Sequence, residues 1–296
     1  MLHMKTITSP VLNIYAGECK FAANKFSFRL NEDATSVTLA IESEGETTAT
    51  HDCGALEKGM HEIDNPFGAV EFDAFSITAS GRQIPFVTKV SDDSHVFQYY
   101  APRGVAIDKT PSSPFFGRIY VTESVGGQCS EDWYGTSPDQ RAVTQGVYVL
   151  GNDLSDVTNQ GATAWAGNVA WGTNSGGTYQ FALSRPAVAP DGDVFVCSSS
   201  YDSPGIYIMN PADPSADFQA VFSGKISASN GQMKKGKNVI CNPVMNCVVL
   251  GTGENEVLYT YDRNNALGTV YSDIQQYNIG ELEALPWTEV PTRKFF

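Results

Sequence analysis

Two stretches decide how this chain reads. "PRGVAIDKTPSSPFFGRIYVTES" runs from Pro102 to Ser124, and "RPAVAPDGDVFVCSSS" from Arg185 to Ser200. Each gives an arginine, a short apolar strand, an aspartate in a turn, a second apolar strand and a serine. A third apolar run follows each, "QGVYVLGNDL" (145–154) and "PGIYIMNPADP" (204–214). A worn third copy reads "KNVICNPVMNCVVLGTG" (237–253), then "EVLYTYDR" (256–263). The second and third copies lie about 50–55 residues apart, a period that marks stacked supersecondary units. The first is longer because it carries the insertion "VGGQCSEDWYGTSPDQRAV" (125–143).

A unit of three or four short strands forms one sheet, and one sheet cannot bury both faces alone. Several must stack, and radial stacking gives the blades of a β-propeller. Asp191 and Gly192 sit between two apolar runs, where a tight hairpin wants a positive φ. Propellers close with four to eight blades. Three units and the tail "YNIGELEALPWTEVPTRKFF" predict a partial ring, with part of a larger ring as the favoured reading and a four-bladed ring or one closed by a second copy as the alternatives.

The first hundred residues read differently. "KFSFRL" places Phe26, Phe28 and Leu30 on one face, and "SVTLAIES" places Val37, Leu39 and Ile41 on one face. Period two means half-buried strands. "NEDAT" and "ESEGET" supply turn chemistry between and after them. "CGALEKGMHEID" offers a turn and a strand, and "FDAFSITAS" another strand. Such spacing suggests a small sandwich.

This first part resembles the immunoglobulin-like domain first known from the flagellar hook-capping protein. The resemblance rests on Phe26, Phe28, Leu30, Val37, Leu39, Ile41, Gly45, Leu56, Gly59 and His61 and covers roughly residues 20–90. The Trp-Asp-Gly usual in that family after the histidine is replaced by "IDNPFG". The resemblance implies a spacer or adhesion module. The later units resemble six-bladed propellers with NHL-type repeats, whose strands read "P-x-G-V-A-V-D … G-x-I-Y-V-x-D/E". The two parts together look like a group of secreted or surface proteins of gut-type Bacteroidetes, which implies an extracellular or cell-surface location. The expected fold is all-β: an immunoglobulin-like β-sandwich over 1–95, then an incomplete β-propeller over 96–296.

Composition narrows the partners. The net charge of -14 argues against nucleic acid, whose phosphates need Lys and Arg facing them. No window approaches the ~20 apolar residues of a membrane span. The opening "MLHMKTITSPVLNIYAG" has no signal-peptide pattern. The six cysteines include no CxxC and no histidine lies near them, so a zinc site is not expected. Cys19 and Cys53 could bridge two strands, and Cys241 and Cys247 could flank a hairpin. Small buried thiols are the favoured reading.

Catalytic chemistry is thinly signalled. All four histidines, His3, His51, His61 and His95, precede the repeats, so the repeats lack the base of a Ser-His-Asp or Cys-His engine. Carboxylates are plentiful, and glycoside hydrolysis needs only two at roughly 5–10 Å. Yet Asp108 and Asp191 occupy equivalent places in the repeat, where aspartate caps a turn. Asp191, Asp193 and "NDLSD" (152–156) could hold Ca²⁺ but lack the EF-hand spacing. No cofactor is expected.

The remaining signal is aromatic. Trp133 and Tyr134 lie in the polar insertion, Trp165 in "TAWAGNVAWGT", and Tyr201 in "SSSYDSPG". Rings beside polar residues suit sugars or peptides. Trp165 and Trp171 also fit as packing residues. Arg103 and Arg185 recur at equivalent positions and line a channel or pair with nearby acids. The candidate ligand-binding set is therefore Trp133, Tyr134, Trp165, Tyr201, Arg103, Glu123 and Arg185. The expected function is non-enzymatic binding of a glycan or protein ligand. A propeller-type polysaccharide lyase or hydrolase using acidic residues is one alternative, and an architectural surface module the other.

Overall fold

The computed structural model describes residues 3–8, 14–81, 94–129, 141–157, 164–169, 171, 183–200, 203, 205–223, 244–264, 271–280 and 293–295. Trp133, Tyr134, Tyr201 and Cys241 lie outside them. The described residues are all-β, with twenty strands and no α-helix. No described helix is long and apolar enough to cross a membrane. The chain forms two compact units. One is Met1–Asp92 with Asp108–Ile119 and Leu150–Ser155; the other is Asp93–Ile107, Tyr120–Val149 and Asp156–Phe296. The expected boundary at 95/96 thus falls close to the end of the first segment. Two segments from the first repeat also belong to the first unit.

The first unit holds β1 (His3–Thr8), β2 (Ala16–Ala22), β3 (Lys25–Leu30), β4 (Ala34–Ser43), β5 (Glu46–Leu56), β6 (Gly59–Asp64) and β7 (Ala74–Ser80). They form two sheets, ordered β1-β7-β4-β5 and β2-β3-β6. The alternation seen in sequence is the reason. Phe26, Phe28 and Leu30 of β3 and Val37, Leu39 and Ile41 of β4 are fully buried in one core with Phe75 and Ile77 of β7. Each such side chain contributes about 1.5–3 kcal/mol. Cys19 and Cys53 carry thiols and are not bridged.

Two segments from the first repeat are tied into this unit by ions. Arg29 of β3 donates to Asp153 (2.8 Å), to the Ser155 hydroxyl (2.8 Å) and to Glu18 (3.4 Å). Glu18 also accepts from Arg118 at 3.3 Å. Glu18 sits at a register shift in β2 with φ of +52°, which turns its side chain toward both arginines. A Cβ on Gly17 would stand 2.1 Å from the Phe116 carbonyl oxygen, so only glycine admits this close approach.

The second unit contains β8 (Pro102–Ile107), β9 (Ile119–Glu123), β10 (Gly127–Gln128), β11 (Ala142–Val143), β12 (Gly146–Leu150), β13 (Leu183–Val188), β14 (Val194–Ser198), β15 (Gly205–Met209), β16 (Gln219–Ser223), β17 (Val244–Leu250), β18 (Val257–Asn264), β19 (Tyr271–Asn278) and β20 (Arg293–Phe295). Three sheets match the three repeats: β12-β9-β8, β13-β14-β15-β16 and β17-β18-β19-β20. β10 and β11 make a two-stranded ladder at the base of the insertion.

Period two decides the stacking. Val194, Val196, Tyr207 and Met209 of the second sheet share a core with Tyr120, Val147 and Val149 of the first. The alternate residues, Phe195, Cys197, Ile206 and Ile208, share another with Cys247, Val249 and Leu258 of the third. Strands β8, β13 and β17 lie side by side. A Cβ on Gly104 would meet Arg185 Cα at 2.8 Å, so β8 touches β13 backbone to backbone. Ser184 Oγ donates to the Val244 carbonyl at 2.7 Å, and the Thr122 hydroxyl donates to the Ser184 carbonyl. Gly192 takes a φ of +100° in the β13–β14 turn, as the Asp-Gly pair predicts.

Candidate functional site

The segment before β8 is fastened from two sides. The Glu123 carboxylate accepts the Ala101 N–H at 2.7 Å, the Tyr100 N–H at 2.9 Å and the Val125 N–H at 3.4 Å. Glu123 is fully buried, and burial pushes its carboxyl above the ordinary range against the pull of those N–H groups and Arg103. Opposite it, buried Arg141 donates to the Val96 and Gln98 carbonyls. Its guanidinium lies 4.5 Å from the Tyr148 ring centre and 5.5 Å from that of Tyr99. Burial, opposed by Arg141, pushes the Tyr99 phenol up to about 12.

Between these anchors Tyr100 turns outward, 53% exposed. Its ring rests on bare backbone: a Cβ on Gly127 would stand 2.7 Å from the ring. Arg103 follows on β8, exposed, with Nε donating to Ser124 Oγ at 3.4 Å. Ser124 Oγ in turn donates to the Ala101 carbonyl at 2.8 Å, and Gln145 donates to the Ser124 carbonyl at 2.7 Å. Arg185, exposed on β13, lies on the strand that β8 touches. The result is an exposed aromatic ring on the Gly127 backbone at the foot of the insertion, with exposed Arg103 three residues further along the chain.

The expected site residues divide. Arg103 and Arg185 are at the surface on adjacent strands. Glu123 positions this face from beneath, as a clamp on backbone N–H groups. Trp165 is half-buried, exchanges two backbone hydrogen bonds with Val147 and packs on the core between the first two sheets. Trp133, Tyr134 and Tyr201 lie outside the described residues. Tyr100 was not singled out in the sequence, because its platform is made by a glycine 27 positions away.

The acidic candidates have structural partners. Asp108 accepts the Thr110 N–H at 2.9 Å and the Ser113 hydroxyl, closing the turn after β8. Asp191 accepts the Asp193 N–H at 3.2 Å. No three His, Cys, Asp or Glu among the described residues converge as a metal site requires. Glu256, absent from the sequence candidates, has a buried Oε1 with no hydrogen-bond partner. Burial, with the charges of Asp191 and Asp193, pushes its carboxyl up to about 7. A carboxyl raised in the folded state binds a proton that the unfolded chain releases near 4.5. Stability is therefore fully present below that value and declines as pH rises through 7. The expected loss is on the order of 1 kcal/mol after screening by water. Glu256→Gln should flatten the pH dependence of the melting temperature between pH 5 and 8; an unchanged slope would assign it to other groups.

Neither a scan of protein-family models nor a search of curated proteins finds a match to this chain.

Proposed function

We propose that this chain is a non-catalytic binding protein that holds a glycan on the face around Tyr100. It consists of an immunoglobulin-like module and a run of propeller blades. Two sheets closed on one core support the first assignment, and three repeat-matched sheets with side-by-side innermost strands support the second. The resemblance to secreted and surface proteins supports a location outside the cell.

The observation that carries the reading is the exposed Tyr100 ring on Gly127, with exposed Arg103 three residues further along the chain. A sugar ring has an apolar face that stacks on an aromatic and hydroxyls that accept from a cation. Rigid support from Glu123 and Arg141 means little order is lost on binding. The buried acids favour binding over hydrolysis: Glu123 and Asp108 are spent on backbone and hydroxyl donors.

A glycan array, followed by calorimetry on the best hit, tests this. Tyr100→Ala should weaken binding about tenfold, close to 1.4 kcal/mol, with an unchanged melting curve. Gly127→Val, which displaces the ring without removing it, should do the same. Full affinity in both variants would overturn the site. An array with no glycan bound, together with capture of a protein ligand lost in Tyr100→Ala, would reassign the ligand class and keep the face.

A further inference from the structure

The cover on the outer side of the first sheet stops short of β8. Tyr120 shares the core with the second sheet and the Thr122 hydroxyl donates to Ser184, so Val121 and Glu123 of β9 face the other way. Both are buried, Glu123 beneath the Tyr100 and Ala101 N–H groups that it accepts. On neighbouring β8, Gly104 faces β13, so Arg103, Val105 and Ile107 share the side of Val121 and Glu123. Yet Val105 is 65% exposed, Ile107 42% exposed, and Arg103 is exposed too. β8 is thus a ledge beside the cover, and Tyr100 stands where the chain steps onto it.

The ledge has a shape and a chemistry. Arg103, Val105 and Ile107 recur at every second residue along one side, about 6.7 Å apart and about 13 Å from first to last. That run exceeds a single sugar ring. Val105 and Ile107 offer methyl groups and no hydrogen-bonding atoms, so they match the C–H face of a ring and leave its hydroxyls to water. Arg103 brings N–H donors that hydroxyls accept. A chain linked through equatorial oxygens stays extended with flat apolar faces, so successive rings meet Tyr100, Val105 and Ile107 in turn. A chain linked through axial oxygens coils away from a straight ledge.

We propose that the ligand is a linear, equatorially linked glycan that lies along β8, one ring on Tyr100 and later rings on Val105 and Ile107. The site then grips the interior of a polysaccharide, and affinity grows with chain length. The inference rests on the glycan reading of Tyr100 and names the class of glycan.

Calorimetry with size-graded cello-, xylo- and chito-oligosaccharides, set against the coiled malto-oligosaccharides, tests it. In the best equatorial series affinity should rise about tenfold from disaccharide to hexasaccharide. Val105→Ser and Ile107→Ser, both at exposed positions and checked by circular dichroism, should each weaken the hexasaccharide about fivefold and the disaccharide less. Tyr100→Ala should weaken both lengths alike. Full affinity already at the disaccharide, or a hexasaccharide that binds the double variant as it binds wild type, overturns the ledge and leaves the Tyr100 site standing. Malto-oligosaccharides bound as well as the equatorial series, or a glycan array answered only by axially linked chains, overturn the equatorial class alone. Tyr100→Ala without effect at any length overturns the glycan reading, and the ledge falls with it.

Discussion

Replacing Arg29 by alanine is expected to cost about 3–5 kcal/mol and to lower the melting temperature by roughly 10 °C. The side chain is 17% exposed, and its partners Glu18 and Asp153 are 11% and 9% exposed. Removing the guanidinium leaves Asp153 with little water and without the cation that matches it, and leaves Glu18 to Arg118 alone. Burial alone would depress the Arg29 pKa, and Asp153 and Glu18 more than reverse it. For Asp153 burial works upward, but Ser155 and Arg29 hold the carboxyl below its ordinary range. That stabilisation is present above the ordinary carboxylate pKa and is lost as pH falls through the depressed value. Arg29→Ala should therefore lose part of the acid sensitivity of the wild type. Arg29→Lys should fall between the two, since an ammonium cannot reproduce the fork that reaches Glu18 and Asp153 together. Thermal melts at neutral and acid pH check all three; an Arg29→Ala protein as stable as wild type would show that the network contributes nothing net.

Trp171→Ala carries an effect of similar size, about 3–5 kcal/mol, for a different reason. The indole is 3% exposed, packs edge-on to Tyr207 with ring centres 5.0 Å apart, and touches Phe218. Its Nε1 donates to the Ala166 carbonyl at 3.0 Å. Truncation opens a cavity between the first two sheets and leaves the Ala166 carbonyl with the Val169 N–H alone. Denaturant unfolding should show the full loss, while glycan affinity of the folded fraction should match wild type. Weakened binding at unchanged stability would instead make Trp171 a ligand residue. Tyr100→Ala is expected to behave in the opposite way, and the pair separates packing aromatics from binding ones.

Legibility in the sequence followed solvent contrast. β3, β4 and β7 alternate apolar and polar residues because one face is buried, and all three could be read directly. β5, "ETTATHDCGAL", could not: every residue is exposed or half-buried, and the strand exists because β4 offers it a partner. β2 was hidden by its irregularity at Glu18, which breaks the period. The repeats announced the three sheets, since stacking buries both faces of the second and leaves apolar runs in each copy. Long-range pairings were silent. Nothing near Arg29 signals Asp153, and nothing near Tyr100 signals Gly127. Glu123 entered the ligand-binding set because a strand-end acid in a repeat is visible, whereas the backbone N–H groups it serves are not.

The β10–β11 ladder has a consequence for how the insertion can change in length. Gly127 pairs with Val143 and Gln128 with Ala142, which brings the two ends of the insertion together before its tip begins. Whatever is spliced between those ends meets a stem already closed, and doubling its length costs only about 0.6 kcal/mol in closure entropy. A change of length between those ends therefore falls beyond the stem and leaves the pairing of Gly127 and Gln128 with Val143 and Ala142 in place.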